Sequence, residues 1–107
     1  MQLYLREAVR SYLFGLDQAA VALARAAIEL ALRERVPYAD VNSWLLDELI
    51  EAASRFKLLA PATLQHATEV QHLGNRVLHG SPCNPDDVFD VLVKTRLVLE
   101  ALYSKAS

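Results

Sequence analysis

The chain has 107 residues, a formal net charge of −2 and one cysteine, Cys83. This length suits one hydrophobic core, so we expect residues 1–107 to form a single domain. The near-neutral charge argues against strong, sequence-independent duplex binding, which needs clustered Lys and Arg. One cysteine cannot form an intramolecular disulfide, which favours a reducing, cytoplasmic setting. No apolar stretch approaches the ~20 residues that cross a bilayer, so we expect no membrane association.

Apolar residues recur at helical spacing along a chain that is rich in Ala and Leu and has only three glycines. We predict an all-α fold, an antiparallel bundle of four to five helices. The first helix is expected over about residues 3–14 and is ended by Gly15, with Asp17 as the N-cap of the next. Its predicted inner face holds Leu5, Val9, Tyr12 and Leu16.

The second helix, over about residues 18–35, is apolar around most of its circumference. It is therefore expected at the centre of the fold. Its many alanines allow neighbouring backbones to approach closely. Arg25, Glu29 and Arg33 are four residues apart and form one charged stripe. Arg25 and Glu29 are expected either to form a structural ion pair or to bind a ligand. Pro37 ends this helix.

The third helix is expected over about residues 43–56. Its predicted apolar stripe holds Leu45, Leu46, Leu49, Ile50, Ala53 and Phe56. Trp44 and Tyr38, near its start, are either exposed aromatics suited to an interface or half-buried core residues. A fifth helix is expected after Asn84, a capping residue followed by proline, and it runs to about Tyr103.

The fourth helix begins near Pro61, and Gly80 lies just past its C-terminus. Its predicted inner arc holds Ala67, Val70, Gly74, Val77 and Leu78. Glycine inside a helix costs ~1 kcal/mol relative to alanine. We therefore expect Gly74 to be compensated by a close contact with the Ala-rich second helix, near Arg25.

One stripe of the fourth helix carries four polar side chains. These are His72, Asn75, Arg76 and His79, spaced i, i+3, i+4 and i+7. Because they share one face, they are the candidate site, and the rest of the chain is expected to be scaffold. Simpler structural roles are also open: a C-terminal cap for His79, a backbone hydrogen bond for Asn75 and a solvated charge for Arg76.

Metal binding is not expected from the three histidines. His72 and His79 are about 10.5 Å apart along the helix axis, too far to share one ion. His66 lies on a different side of the helix, and the chain has neither a cysteine pair nor an H-E-x-x-H pattern. A glycine-rich phosphate loop is also missing from the sequence, so we expect no cofactor.

Two segments together resemble a known superfamily. Arg25-Ala26-Ala27-Ile28-Glu29 is followed about fifty residues later by Leu73-Gly74-Asn75-Arg76-Val77-Leu78-His79-Gly80. This combination resembles the HEPN superfamily (higher eukaryotes and prokaryotes nucleotide-binding), and more closely its small helical domains found in restriction and phage-defence proteins. The likeness covers nearly the whole chain.

Many active HEPN members are metal-independent ribonucleases. Their motif helix carries Arg, a polar residue, three further residues and then His, and two copies dimerise so that both motifs line a shared cleft. The resemblance therefore implies a homodimer, with Asn75 at the polar position and His79 at the histidine position.

One position departs from the motif, because the arginine position falls on Gly74. Arg76 is two positions out of register, about 160° round the helix. We therefore expect a homodimeric, non-catalytic module that binds a nucleotide, RNA or a partner. Its candidate ligand-binding residues are Arg25, Glu29 and His72, beside Asn75, Arg76 and His79.

The alternative is a metal-independent ribonuclease, a defence or toxin component. His79 would then act as acid or base on the 2′-hydroxyl or the leaving oxygen. Arg76 or Arg25 would stabilise charge on the scissile phosphate, and Asn75 would orient one of them.

Overall fold

The computed structural model describes residues 2–37 and 43–104, and within this part of the chain the fold is all-α. Its helices are α1 (Gln2–Leu13), α2 (Asp17–Arg35), α3 (Leu46–Arg55), α4 (Pro61–Leu78) and α5 (Pro85–Tyr103). The prediction of a small helical bundle is confirmed. None of the described helices is long and apolar enough to cross a membrane.

α2 lies at the centre of the bundle and contacts all four other helices. Its buried face consists of Ala20, Val21, Ala24, Ala27, Ile28, Ala31 and Leu32. Four of these seven residues are alanines, whose short side chains let the neighbouring helices approach α2 closely. The central position that the sequence predicts for this helix is confirmed.

Contacts at one end of the bundle show the relative direction of α2 and α5. Arg35 Nε donates to the Leu102 carbonyl at 2.8 Å, and the Tyr103 hydroxyl donates to the Glu34 carboxylate. The Arg35 guanidinium also lies over the Tyr103 ring, 5.3 Å from its centroid. The C-termini of α2 and α5 therefore meet, so these two helices run parallel. Short connections join α1 to α2 and α4 to α5, and each pair packs side by side, so α1 and α4 run antiparallel to α2 and α5.

Helix α4 ends in a Schellman motif, which satisfies its last carbonyl groups. Gly80 adopts φ +89° and donates its N–H to the Val77 carbonyl at 3.0 Å. The next N–H, that of Ser81, donates to the Arg76 carbonyl at 2.9 Å. Glycine suits this position because a left-handed backbone carries no Cβ penalty there. Gly80 thus ends the helix as predicted.

The ends of three other helices test the capping predictions. Asn84 caps α5 as expected, with its Oδ1 accepting from the Asp87 N–H at 2.9 Å. The prediction for Asp17 is wrong, because this residue is already the first residue of α2. The third helix begins at Leu46 rather than near Ser43.

Some residues predicted on inner faces are exposed instead. They are Val9 and Leu16 near α1, Leu45 and Phe56 at the ends of α3, and Leu78 at the end of α4. On α1 the fully buried residue is Ala8, one step round the helix from Val9, because α2 and α5 cover only part of the apolar stripe. On α4, Leu73 is buried in place of Leu78. Leu78 is exposed because it lies in the last turn of α4, beyond the residues that pack against this helix.

Trp44 is half-buried and packs against the core, so of its two predicted roles the structure supports the core role. Its carbonyl accepts a hydrogen bond from Arg33 Nη2 at 2.9 Å. Tyr38 lies outside the described residues.

Replacing Lys57 with glycine should stabilise the fold. Lys57 lies just past the C-cap of α3 at φ +53°, in the left-handed region, where an L side chain costs about 1 kcal/mol. We expect Lys57→Gly to raise the free energy of unfolding in urea by about 1 kcal/mol, and the matched change Gly80→Ala to lower it by a similar amount. A loss of stability in Lys57→Gly would contradict this account of the α3 terminus.

Replacing Thr95 with valine should also stabilise the fold. Thr95 is fully buried, and its hydroxyl has no hydrogen-bond partner among the described residues. An unsatisfied buried hydroxyl is costly, so we expect Thr95→Val to raise the free energy of unfolding by about 1 kcal/mol.

Thr68 provides the matched control, because its hydroxyl donates to the Leu64 carbonyl at 3.0 Å. Thr68→Val should give no gain in urea denaturation. A less stable Thr95→Val protein would mean that the hydroxyl of Thr95 is in fact paired.

Candidate functional site

A groove of about 580 Å³ separates α4 from α5 and contains most of the predicted polar stripe. His72, Asn75 and Arg76 line its α4 wall, with His72 and Arg76 exposed and Asn75 half-buried. His79 is not among the residues that line the groove. It is the exposed C-cap of α4, and its backbone N–H donates to the Asn75 carbonyl at 3.1 Å. The structure therefore brings together three of the four stripe residues.

The opposite wall is formed by α5, from Asp87, Asp90, Val91 and Lys94. Lys94 Nζ lies 2.6 Å from Asp90 Oδ2 and 3.3 Å from Glu69 Oε2 of α4. The hydrogen bond that Lys94 donates to Asp90, with a second to Glu69, raises the pKa of Lys94 although partial burial opposes this. Lys94 therefore connects the two walls of the groove through its ion pairs.

These charged residues were missed by the sequence analysis. The i, i+4 spacing of Asp90 and Lys94 was a visible signal of a local ion pair. Glu69 stands three residues before His72 and so on a neighbouring part of the same helix face. The contact between α5 and the polar stripe of α4 is long-range in sequence. Helical periodicity does not predict such contacts.

The groove carries charges of both signs. Three carboxylates (Glu69, Asp87 and Asp90) stand beside two cations, Arg76 and Lys94. Since Lys94 is paired with two of the carboxylates, Arg76 is the remaining cation of the lining and forms no ion pair within the described chain. The groove therefore offers hydrogen-bond donors and acceptors rather than a positive surface.

Gly74 is buried on the opposite side of α4, where it meets α2. A Cβ added at this position would lie 2.6 Å from Cδ and 3.4 Å from Nε of Arg25. The close approach expected for Gly74 is present, and its partner is the side chain of Arg25 rather than the backbone of an alanine. The arginine therefore occupies the space that any side chain at position 74 would need.

The guanidinium of Arg25 is held without an ionic partner. Arg25 is half-buried, and its Nε is buried with no hydrogen-bond acceptor among residues 2–37 and 43–104. Of the two roles expected for Arg25 and Glu29, the ion pair between them is not formed, because Glu29 Oε1 pairs with Arg33 Nη1 at 2.6 Å. Arg25 lies over Gly74 instead, and Glu29 is held by Arg33 of the same helix.

Two other titratable groups lie close to the site. Nδ1 of His66 is 3.7 Å from Glu69 Oε1 at the outer edge of the α4–α5 contact. Burial raises the pKa of the half-buried Cys83 thiol, as do Asp17 and Asp87, so this thiol is a weak nucleophile at neutral pH. Within the described chain, no three His, Cys, Asp or Glu side chains are grouped so that they could hold a metal ion.

Comparisons of the chain with protein-family models, with curated proteins and with solved structures give no match. The resemblance to HEPN domains therefore depends on the residues of α2 and α4 quoted above.

The contact between Gly74 and Arg25 can be measured as a coupling energy. Gly74→Ala should gain about 1 kcal/mol of helix propensity, but in the parent the new Cβ displaces Arg25, which cancels or exceeds the gain. In an Arg25→Ala background the same change should stabilise the fold by about 1 kcal/mol. Urea denaturation of the four proteins gives the coupling, which we expect to be at least about 1 kcal/mol.

Arg33→Ala is the matched background, since Arg33 lies on the same stripe of α2 but contacts Glu29 and Trp44. No coupling to Gly74→Ala is expected there. Additive effects of the Gly74 and Arg25 substitutions would rule out the contact.

Proposed function

We propose that the chain is a HEPN-like, homodimeric binding module without catalytic activity, and that the groove between α4 and α5 binds a segment of a partner protein. The observation that carries this proposal is the buried Gly74 beneath Arg25. Active HEPN ribonucleases have an arginine at this position of the motif, and here no side chain extends from it.

The arrangement of the other motif residues supports a non-catalytic role. Acid–base catalysis on a phosphodiester needs a histidine and a charge-stabilising guanidinium within hydrogen-bond reach of the same phosphate. His79 lies at the helix end outside the groove that Arg76 lines, and Arg25 is half-buried on the side of α4 that faces α2. Within one subunit, His79, Arg76 and Arg25 therefore do not converge on one phosphate position.

The charges of the groove favour a protein segment over RNA or a nucleotide. Glu69, Asp87 and Asp90 repel phosphates, whose binding depends on unpaired Lys and Arg. A polypeptide offers N–H groups for these carboxylates and carbonyl groups for the donors of Arg76 and His72. We place this partner in the cytoplasm, the setting that the single cysteine favours.

A pair of arginine variants tests the nature of the ligand. Arg76→Glu alters the groove, and Arg55→Glu is the matched control at an exposed arginine of α3. We expect a fluorescein-labelled single-stranded RNA to show no saturable anisotropy change with any of the three proteins. In the native cell, a protein that co-purifies with the parent and with Arg55→Glu should be lost with Arg76→Glu. Saturable RNA binding that is lost only with Arg76→Glu would overturn the choice of a protein partner.

A metal-independent ribonuclease is the second candidate. It is favoured by one observation: Cδ of Arg25 lies next to the point from which the motif arginine would extend. In such an enzyme His79 would transfer the proton, Arg25 or Arg76 would stabilise the phosphate, and Asn75 would orient one of these groups.

Incubation of the purified protein with single-stranded RNA in EDTA decides between the two functions. We expect intact RNA, with no change in His79→Ala. Cleavage that survives EDTA, is abolished by His79→Ala and persists in the control His66→Ala would establish the enzyme. Growth arrest on expression that is relieved by His79→Ala would point the same way.

A further inference from the structure

An apolar surface spans α1 and α5. It is formed by Val9, Leu13, Phe89, Val93 and Leu97, whose side chains are 39–74% exposed, and we call it the α1/α5 face. The two parts are continuous because the rings of Tyr12 and Phe89 lie 6.2 Å apart across the α1–α5 contact. The largest apolar patch on a typical monomer is about 300–600 Å², and it is often a functional surface.

We propose that the α1/α5 face binds a second copy of this chain, with the twofold axis passing close to Val93. This inference rests on the homodimer of the proposed function and identifies its interface. It goes beyond that proposal because the resemblance to HEPN domains indicates pairing around the motif helix, which is α4 here.

The size of the face matches what a dimer requires. Five apolar side chains of this size at about half exposure present roughly 400 Å². A standard interface buries about 800 Å² on each partner, of which a little over half is apolar. The face would therefore supply the apolar part of one standard interface, and its polar rim would supply the remainder.

The charges around the face favour a second copy over a strongly charged partner. The exposed charged residues of α1 and α5 outside the groove are Arg6, Arg10 and Arg96 together with Asp86 and Glu100. Positive and negative groups are nearly equal in number, so two identical faces meet without strong net repulsion. A strongly basic or acidic partner would meet like charges over half of the rim.

The spacing on α5 is self-complementary. Phe89, Val93 and Leu97 are four residues apart and form a single ridge, and such ridges pack against each other at about −50°. With the axis at Val93, Phe89 faces Leu97 of the partner subunit, so the smallest side chain is central and the larger ones flank it. An interface of this kind is isologous and closes as a dimer.

The α4–α5 groove lies on the other flank of α5, beyond Asp90, whereas α1 makes little contact with α4. Pairing through the α1/α5 face therefore leaves one open groove in each subunit. The dimer would present two separate binding grooves rather than one shared cleft.

Sedimentation of the full chain tests the interface. We expect the parent to dimerise, and Val93→Lys to weaken dimerisation about 100-fold or more, because it places two like charges at the axis. Leu78→Lys is the control, since Leu78 is also an exposed apolar residue but lies on α4, away from the α1/α5 face. If Val93→Lys lowers the melting temperature, Leu13→Lys, at a more exposed position of the same face, replaces it.

Cross-linking gives a second readout in a Cys83→Ser background. Val93→Cys should form a covalent dimer on mild oxidation, and Leu78→Cys should not. Disruption by Leu78→Lys while Val93→Lys still dimerises would overturn this interface and leave the homodimer intact. A parent chain that remains monomeric at all concentrations would overturn both. Neither result bears on RNA cleavage, which tests the proposed function separately.

Discussion

The structure depends on the contact between Arg25 of α2 and Gly74 of α4. A glycine in the middle of an 18-residue helix weakens that helix, and half-burial of an arginine without an anion is also unfavourable. The two features explain each other, because the missing Cβ makes room for the aliphatic part of the arginine. The contact fixes how α4 crosses the central helix, and this crossing decides which face of α4 is left to meet α5.

The groove follows from that crossing. With Gly74 against α2, the stripe of His72, Asn75 and Arg76 points away from the core, and α5 closes one side of it. Lys94 joins both walls through Asp90 and Glu69, and the carboxylates of the lining outnumber its two cations, Arg76 and Lys94. This excess of negative charge distinguishes the site from a phosphate-binding pocket, in which cations predominate.

The sequence predicted those features that depend on a few neighbouring residues. Asn84 before a proline begins α5, Gly80 ends α4, and the alanines of α2 make it central. The sequence did not predict burial where burial depends on how far a neighbouring helix extends, as at Val9 and Leu78. Helical periodicity gives the direction of an apolar stripe but not how much of it is covered.

Within the site, the polar stripe and Gly74 were visible in the sequence, whereas the α5 wall was not. Pairing of Lys94 with Glu69 requires two helices to meet side by side, and the pairing of Glu29 with Arg33 rather than Arg25 required the position of Gly74. When a charged residue has two oppositely charged neighbours at the same spacing in sequence, the tertiary structure determines which of them it pairs with. At the far end of the bundle, Arg35 and Leu102 are joined across 67 residues. On the ribosome, the apolar face of the central helix therefore stays partly uncovered until α5 has emerged, so the core is completed only after residues 85–103 have been synthesised.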